Sequence, residues 1–157
     1  IITEAQYDVG DTIQVGTFMG QVESIGLKTT RIRDYTGATK IIANRYMDDI
    51  VNYSLHDSLA IVDVSVDYSQ KSEKVEKVLK DLAENLSGTI PDTTGEIEIL
   101  GINSLGDSSI VYRITVPTKP MAHYGVQRIL RKEIKEALDT AKVKIPFPQI
   151  EVHHGKQ

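Results

Sequence analysis

From residue 59 onward the apolar residues change period, from two residues to about 3.6 and back, and they do so twice. Ala60, Val62, Val64, Val66 and Tyr68 alternate with Asp63, Ser65 and Asp67, the pattern of a strand with one buried face. Val75, Val78, Leu79, Leu82 and Leu86 then recur at helical spacing. This predicts an amphipathic helix, capped by Ser69 or Ser72 and closed by Gly88. Two strands follow, Glu96–Ile102 and Ser109–Val116, with Asn103–Asp107 as their hairpin connection. A second helix carries Val126, Ile129, Leu130, Ile134, Ala137 and Leu138 on one face, and Pro146 and Pro148 stiffen the approach to a short last strand, Gln149–His153. A β-α-β-β-α-β order is the split motif of ferredoxin-like domains, with both helices on one face of an antiparallel sheet.

The preceding stretch has another texture. Between Tyr7 and Ser54, β-branched runs such as Thr12–Val15 and Thr29–Arg33 are punctuated by Gly10, Gly16, Gly20, Gly26 and the turn Asp34–Gly37. Gly26, inside a long strand pattern, predicts the bend or bulge that a small curved barrel needs. A β-domain of about 50 residues buries little apolar surface alone, so it leans on a neighbour or on copies of itself. The fold class is therefore α+β, a small barrel followed by a ferredoxin-like domain.

Composition narrows the function. The chain has 157 residues and no cysteine, which removes disulfides, thiolate metal sites and thiol nucleophiles together. No run approaches the roughly 18 apolar residues of a membrane helix. The chain opens Ile1-Ile2-Thr3-Glu4, with neither a starting methionine nor a signal sequence, and reads as a piece of a longer protein. Up to residue 57 there are 5 basic and 8 acidic residues, and after it 13 and 14, so neither part has the basic surface of a nucleic-acid binder. The open sheet face is expected to present Asp63, Ser65, Asp67, Glu96, Glu98, Val111, Arg113 and Thr115, a set without an aromatic ring that repels phosphate.

Chemistry-bearing candidates resolve into structural readings. His56-Asp57-Ser58 has the residue types of a hydrolytic triad, but chain neighbours cannot converge as a triad must, and the segment reads as a domain linker. His153 and His154 point to opposite sides of an extended chain, and Asp48-Asp49 reads as a solvated turn. The glycines sit between strands and match no phosphate or dinucleotide loop. No catalytic, cofactor or metal site emerges, and the chain is not expected to be an enzyme.

The spacing of Tyr7-Asp8-Val9-Gly10-Asp11, Gly20-Gln21-Val22-Glu23-Ser24-Ile25-Gly26, Thr30-Arg31-Ile32-Arg33, Gly37, Asn44 and Asn52-Tyr53-Ser54 resembles the β-domain of the small-conductance mechanosensitive channel family. Ile145-Pro146-Phe147-Pro148-Gln149 is similar to the end of that family's cytoplasmic α/β domain. The family often has Pro-Phe before the Gly-Asp pair and Pro-Asn in the later strand, where this chain has Tyr7-Asp8 and Ala43-Asn44.

The resemblance implies four parts: the end of a pore-lining helix at 1–6, an Sm-like β-domain at 7–56, a ferredoxin-like domain at 57–145, and an extended segment with an axial-barrel strand at 146–157. It also implies a plasma-membrane heptamer whose soluble parts form a cytoplasmic cage, with transmembrane helices upstream and ions and small solutes as its cargo. On that reading Gly10, Asp11, Gly16, Gly20, Gly26 and Asn44 are β-domain architecture, and Pro146, Phe147 and Pro148 form the exit into the axial barrel. Asp63, Asp67, Glu96 and Glu98 become candidate lumen charges, and no cofactor or nucleic acid is implied. Two other readings stay open: a soluble RNA-binding or adaptor protein that combines the same two folds, and a related channel gated by a ligand.

Overall fold

The computed structural model describes residues 6–148, 150 and 152–155. The chain divides into two units, Ile1–Ser58 and Leu59–Gln157.

The first unit is one bent five-stranded sheet. Its strands are β1 (Thr12–Val15), β2 (Phe18–Ile25), β3 (Thr29–Arg33), β4 (Thr39–Ala43) and β5 (Ile50–Asn52), in the order β4-β3-β2-β1-β5. A 3₁₀ turn, Asn44–Tyr46, follows β4. Period-two alternation turns Ile13, Val15, Val22, Ile32 and Ile42 inward, where Tyr7, Phe18, Met47 and Ile50 pack around them. The bend in β2 lies at Glu23, not at Gly26: Val22 pairs with Ile32 and Ser24 with Arg31, leaving Glu23 extra. Gly26 belongs to the turn instead, its N–H donating to Thr29 O at 2.8 Å. Gly20 is the point of closest approach, since a Cβ there would lie 2.5 Å from Arg33 O and 2.8 Å from Ile32 Cγ2.

In the second unit β6 (Ser58–Val66, its first residue being the last of the first unit), α1 (Ser72–Leu86), β7 (Glu98–Leu105), β8 (Ile110–Thr118) and α2 (His123–Thr140) follow one another, with sheet order β6-β8-β7. Both helices cover one face. Val75 and Leu79 of α1 and Val126, Leu130, Ile134 and Leu138 of α2 meet Ala60, Val62, Val64 and Val66 of β6 and Tyr112, Ile114 and Val116 of β8 in one core. Ile129, expected on that stripe, lies at its exposed margin. Neither Ser69 nor Ser72 caps α1: Lys71 holds the N-cap position without a side-chain bond, and Ser72 is already helical. Gly88 does end the helix, at φ +73°. β7 starts two residues later than expected and is interrupted after Ile99 and Ile102 by register shifts.

Of the strand expected over Gln149–His153, Gln149 and Glu151 lie outside the described residues, and Ile150, Val152 and His153 are not in a strand. Among the described residues the sheet therefore has three strands, and Lys144 O, accepting the Asp67 N–H at 3.0 Å, marks where the chain passes the end of β6. Pro146 and Pro148 have no N–H with which to continue that contact. The pore-helix turn expected at the start also falls, but for Gln6, outside the described residues.

Candidate functional site

The glycine and asparagine motif of the first unit builds the anchorage of residues 6–11. Gly10, at φ +98°, donates its N–H to Val22 O at 2.9 Å, and Asp11 O accepts the Val22 N–H at 2.8 Å. Asp11 Oδ2 accepts from the Asp8 N–H at 3.0 Å and from Asn52 Nδ2 at 3.1 Å, while the same amide nitrogen donates to Gln6 O at 3.0 Å. Asn44 works at another corner. Its N–H donates to Lys28 O and its Nδ2 to Gly26 O, each at 2.8 Å, so the β2–β3 turn is fastened to the end of β4. Its Oδ1 accepts from Thr30 Oγ1 at 2.7 Å, which leaves the Tyr7 hydroxyl as the donor in the 3.3 Å contact with Thr30. Gly16, at φ +61°, forms the two-residue turn between β1 and β2.

Thr30 and Asn52 thus complete both networks, although neither belongs to the glycine pattern. Thr30 had a readable signal: a hydroxyl at an inward position of an alternating strand is buried and must find a partner.

The four candidate lumen carboxylates are not one surface. Asp63 receives Arg113 Nε at 2.8 Å and Nη2 at 3.0 Å, a two-point ion pair on the sheet face away from the helices. The hydrogen bonds from Arg113, and then its charge, hold the Asp63 carboxyl below the usual carboxylate value, while Arg113 is shifted upward in turn. Asp67 is buried at 6% exposure; its Oδ1 accepts the Ser69 N–H at 2.9 Å and its Oδ2 lies 3.9 Å from Lys144 Nζ. The alternation that would expose it ends at Val66, and beyond the strand its side chain builds a turn. Glu96 and Glu98 remain exposed.

At the far end of α2, Lys142 takes the left-handed position at φ +57°, and the Val143 N–H donates to Leu138 O at 2.9 Å. Exposure then rises from 4% at Val143 to 38% at Ile145 and 78% at Phe147, so Phe147 leaves the core with Pro146 and Pro148 on either side. His123 opens α2 with its Nδ1 buried and unpartnered among the described residues. Burial pushes its imidazole below the ordinary histidine value of 6.5. Among the described residues no three His, Cys, Asp or Glu side chains converge as a metal site, and no helix is long and apolar enough to cross a membrane.

These two units have counterparts in known proteins. Residues 1–55 match the family profile described as the mechanosensitive ion channel β-domain, and residues 60–145 that of the mechanosensitive ion channel MscS C-terminal region. The small-conductance mechanosensitive channel of Caldanaerobacter subterraneus subsp. tengcongensis is 28% identical over 152 residues, covering 97% of this chain and 54% of that protein. An uncharacterized MscS family protein of Archaeoglobus fulgidus is 30% identical over 154 residues, covering 95% and 53%. The closed-state crystal structure of Helicobacter pylori MscS superposes with a TM-score of 0.84 at 25% identity, covering 98% of this chain and 61% of that one. The chain spans about half the length of the curated relatives it matches.

Proposed function

The chain belongs to the mechanosensitive ion channel family, and from that premise we propose that it is the cytoplasmic part of a tension-gated, small-conductance channel that releases ions and small solutes on hypo-osmotic shock. The observation that carries this reading is the succession, in one chain, of the family's β-domain and its C-terminal domain. In the full-length protein, membrane tension favours the state with the larger in-plane area, and the pore opens by a shift of population. The soluble part holds the pore helices in register and screens what reaches them.

A closed ring, a heptamer in this reading, suits the first unit. Five inward aliphatic residues make a small core, and β4 and β5 are sheet edges that gain from a neighbour. Pro146–Pro148 would direct the following residues toward the ring axis.

Patch-clamp recording tests the reading directly. The full-length protein, expressed in cells without mechanosensitive channels of their own, is expected to give discrete openings as suction is stepped up. Silence from a protein shown to be in the membrane would overturn tension gating.

A further inference from the structure

Leu27, in the turn between β2 and β3, stands wholly in solvent at 102% relative exposure. Ile25, Ile41 and Tyr46 are 44%, 58% and 62% exposed. The two bonds from Asn44 to Lys28 O and Gly26 O fasten the Asn44–Tyr46 turn beside residues 26–28, while Ile41 pairs with Arg31 across the β3–β4 ladder. These apolar side chains therefore belong to one corner of the unit.

Its charge is as uneven as its polarity. Lys28, Arg31 and Arg45 are exposed there, and no acidic residue occurs between Ser24 and Arg33 or between Tyr35 and Met47. Among the described residues none of the three cations is in an ion pair, whereas Arg33 on the same sheet holds Glu23 at 2.9 Å. The Arg45 guanidinium lies over the Tyr46 ring, 4.8 Å from its centroid. All this sits in a chain of net charge -4.

Aliphatic side chains projecting beyond the backbone, a tyrosine beside them and unpaired cations on long stems are the chemistry of a bilayer surface. The apolar groups enter the acyl boundary, the ring rests among headgroups, and the cations reach phosphates. A protein partner fits less well, because burying three unpaired cations in one patch requires an opposite charge for each, whereas headgroup phosphates supply them without burial. A nucleic acid would need a platform of successive stacking rings, where this corner offers one tyrosine, with Arg45 already over its face, among aliphatic side chains. We propose that this corner of the β-domain docks on the anionic headgroups of a lipid bilayer, with Leu27 at its tip. The proposal rests on the membrane location of the full-length protein.

The chain has no tryptophan, so Leu27→Trp provides a single reporter. Its emission is measured with vesicles of phosphatidylglycerol and of phosphatidylcholine. A blue shift with phosphatidylglycerol, quenching by its brominated form and little response to phosphatidylcholine are expected. Adding Lys28→Glu and Arg45→Glu should weaken partitioning by about tenfold or more. An indole that stays water-exposed up to millimolar phosphatidylglycerol would overturn the proposal. So would equal response to the two lipids, or emission already blue-shifted without lipid, which would mean that another protein surface covers the corner. Unchanged circular dichroism establishes that the variants are folded. A null result leaves the tension reading standing, since suction-driven openings are read independently, and silent patches beside a positive vesicle signal would remove that reading alone.

Discussion

At Gly20 a single missing carbon decides how closely two strands can pass. A side chain there would meet backbone, the Arg33 carbonyl at 2.5 Å, and backbone cannot swing aside as a flexible side chain would. Gly20→Val is expected to destabilise the first unit by about 1–3 kcal/mol or more, read as a lower urea midpoint. Gly10→Ala should do less, because nothing lies within 4 Å of its position and only the φ of +98° is strained. His123 gives a pH dependence of defined sign. Burial favours its neutral form, so its contribution to stability is intact above pH 6.5, where folded and unfolded chains are both neutral. As the pH falls below 6.5 the unfolded chain takes the proton first, and stability drops until the lowered folded-state value is passed. Urea midpoints between pH 7 and pH 5 should therefore fall less in His123→Gln than in the parent chain. Equal slopes would refute this.

The elements show which physical signals a sequence carries. Burial parity is local, so Ala60, Val62, Val64 and Val66 and the stripes of α1 and α2 could be assigned from spacing alone. A bulge is a property of two strands: Glu23 is extra only relative to Ile32 and Arg31, and nothing in β2 by itself marks it. Gly26 is the more obvious signal, yet its role is a turn pinned by Asn44, 18 residues further along the chain. Asp67 shows the limit of parity, which ceases to apply one residue past the strand. Among the candidate site residues, Gly10 and Gly16 are legible because a left-handed φ is a local demand, whereas Asn44 is marked only by the family resemblance, its partners Thr30 and Gly26 lying 14 and 18 positions away. Asp63 is not legible either, because its partner Arg113 lies fifty positions away. The cap of α1 is hidden in the sequence for a related reason: two serines compete for a role that a backbone in extended geometry assigns to Lys71, at φ -73° and ψ 130°. Since that geometry is ready for a capping side chain, Lys71→Ser should stabilise the second unit by about 0.5–1 kcal/mol, measured by thermal or urea unfolding.

For the whole molecule, the internal pairing of Asp63 and the burial of Asp67 leave Glu96 and Glu98 as the two exposed, unpaired members of the four candidate lumen charges among the described residues; on the proposed cage reading these two would carry its field. Repeated around a ring, they would bias the local concentration of permeating ions. Glu96→Lys with Glu98→Lys in the full-length channel is expected to move the cation-to-anion permeability ratio toward anions. An unchanged reversal potential in asymmetric salt would show that these residues face elsewhere. The anchorage of residues 6–11 has a mechanical side as well. Gln6, Tyr7, Gly10 and Asp11 are each tied into the sheet, through Asn52, Thr30 or Val22, and Asp8 is held to Asp11, so a pull on the segment would be shared among bonds on three different strands. Such a segment would work like the strain relief on a cable, spreading a tug over several strands so that no single joint takes all of it.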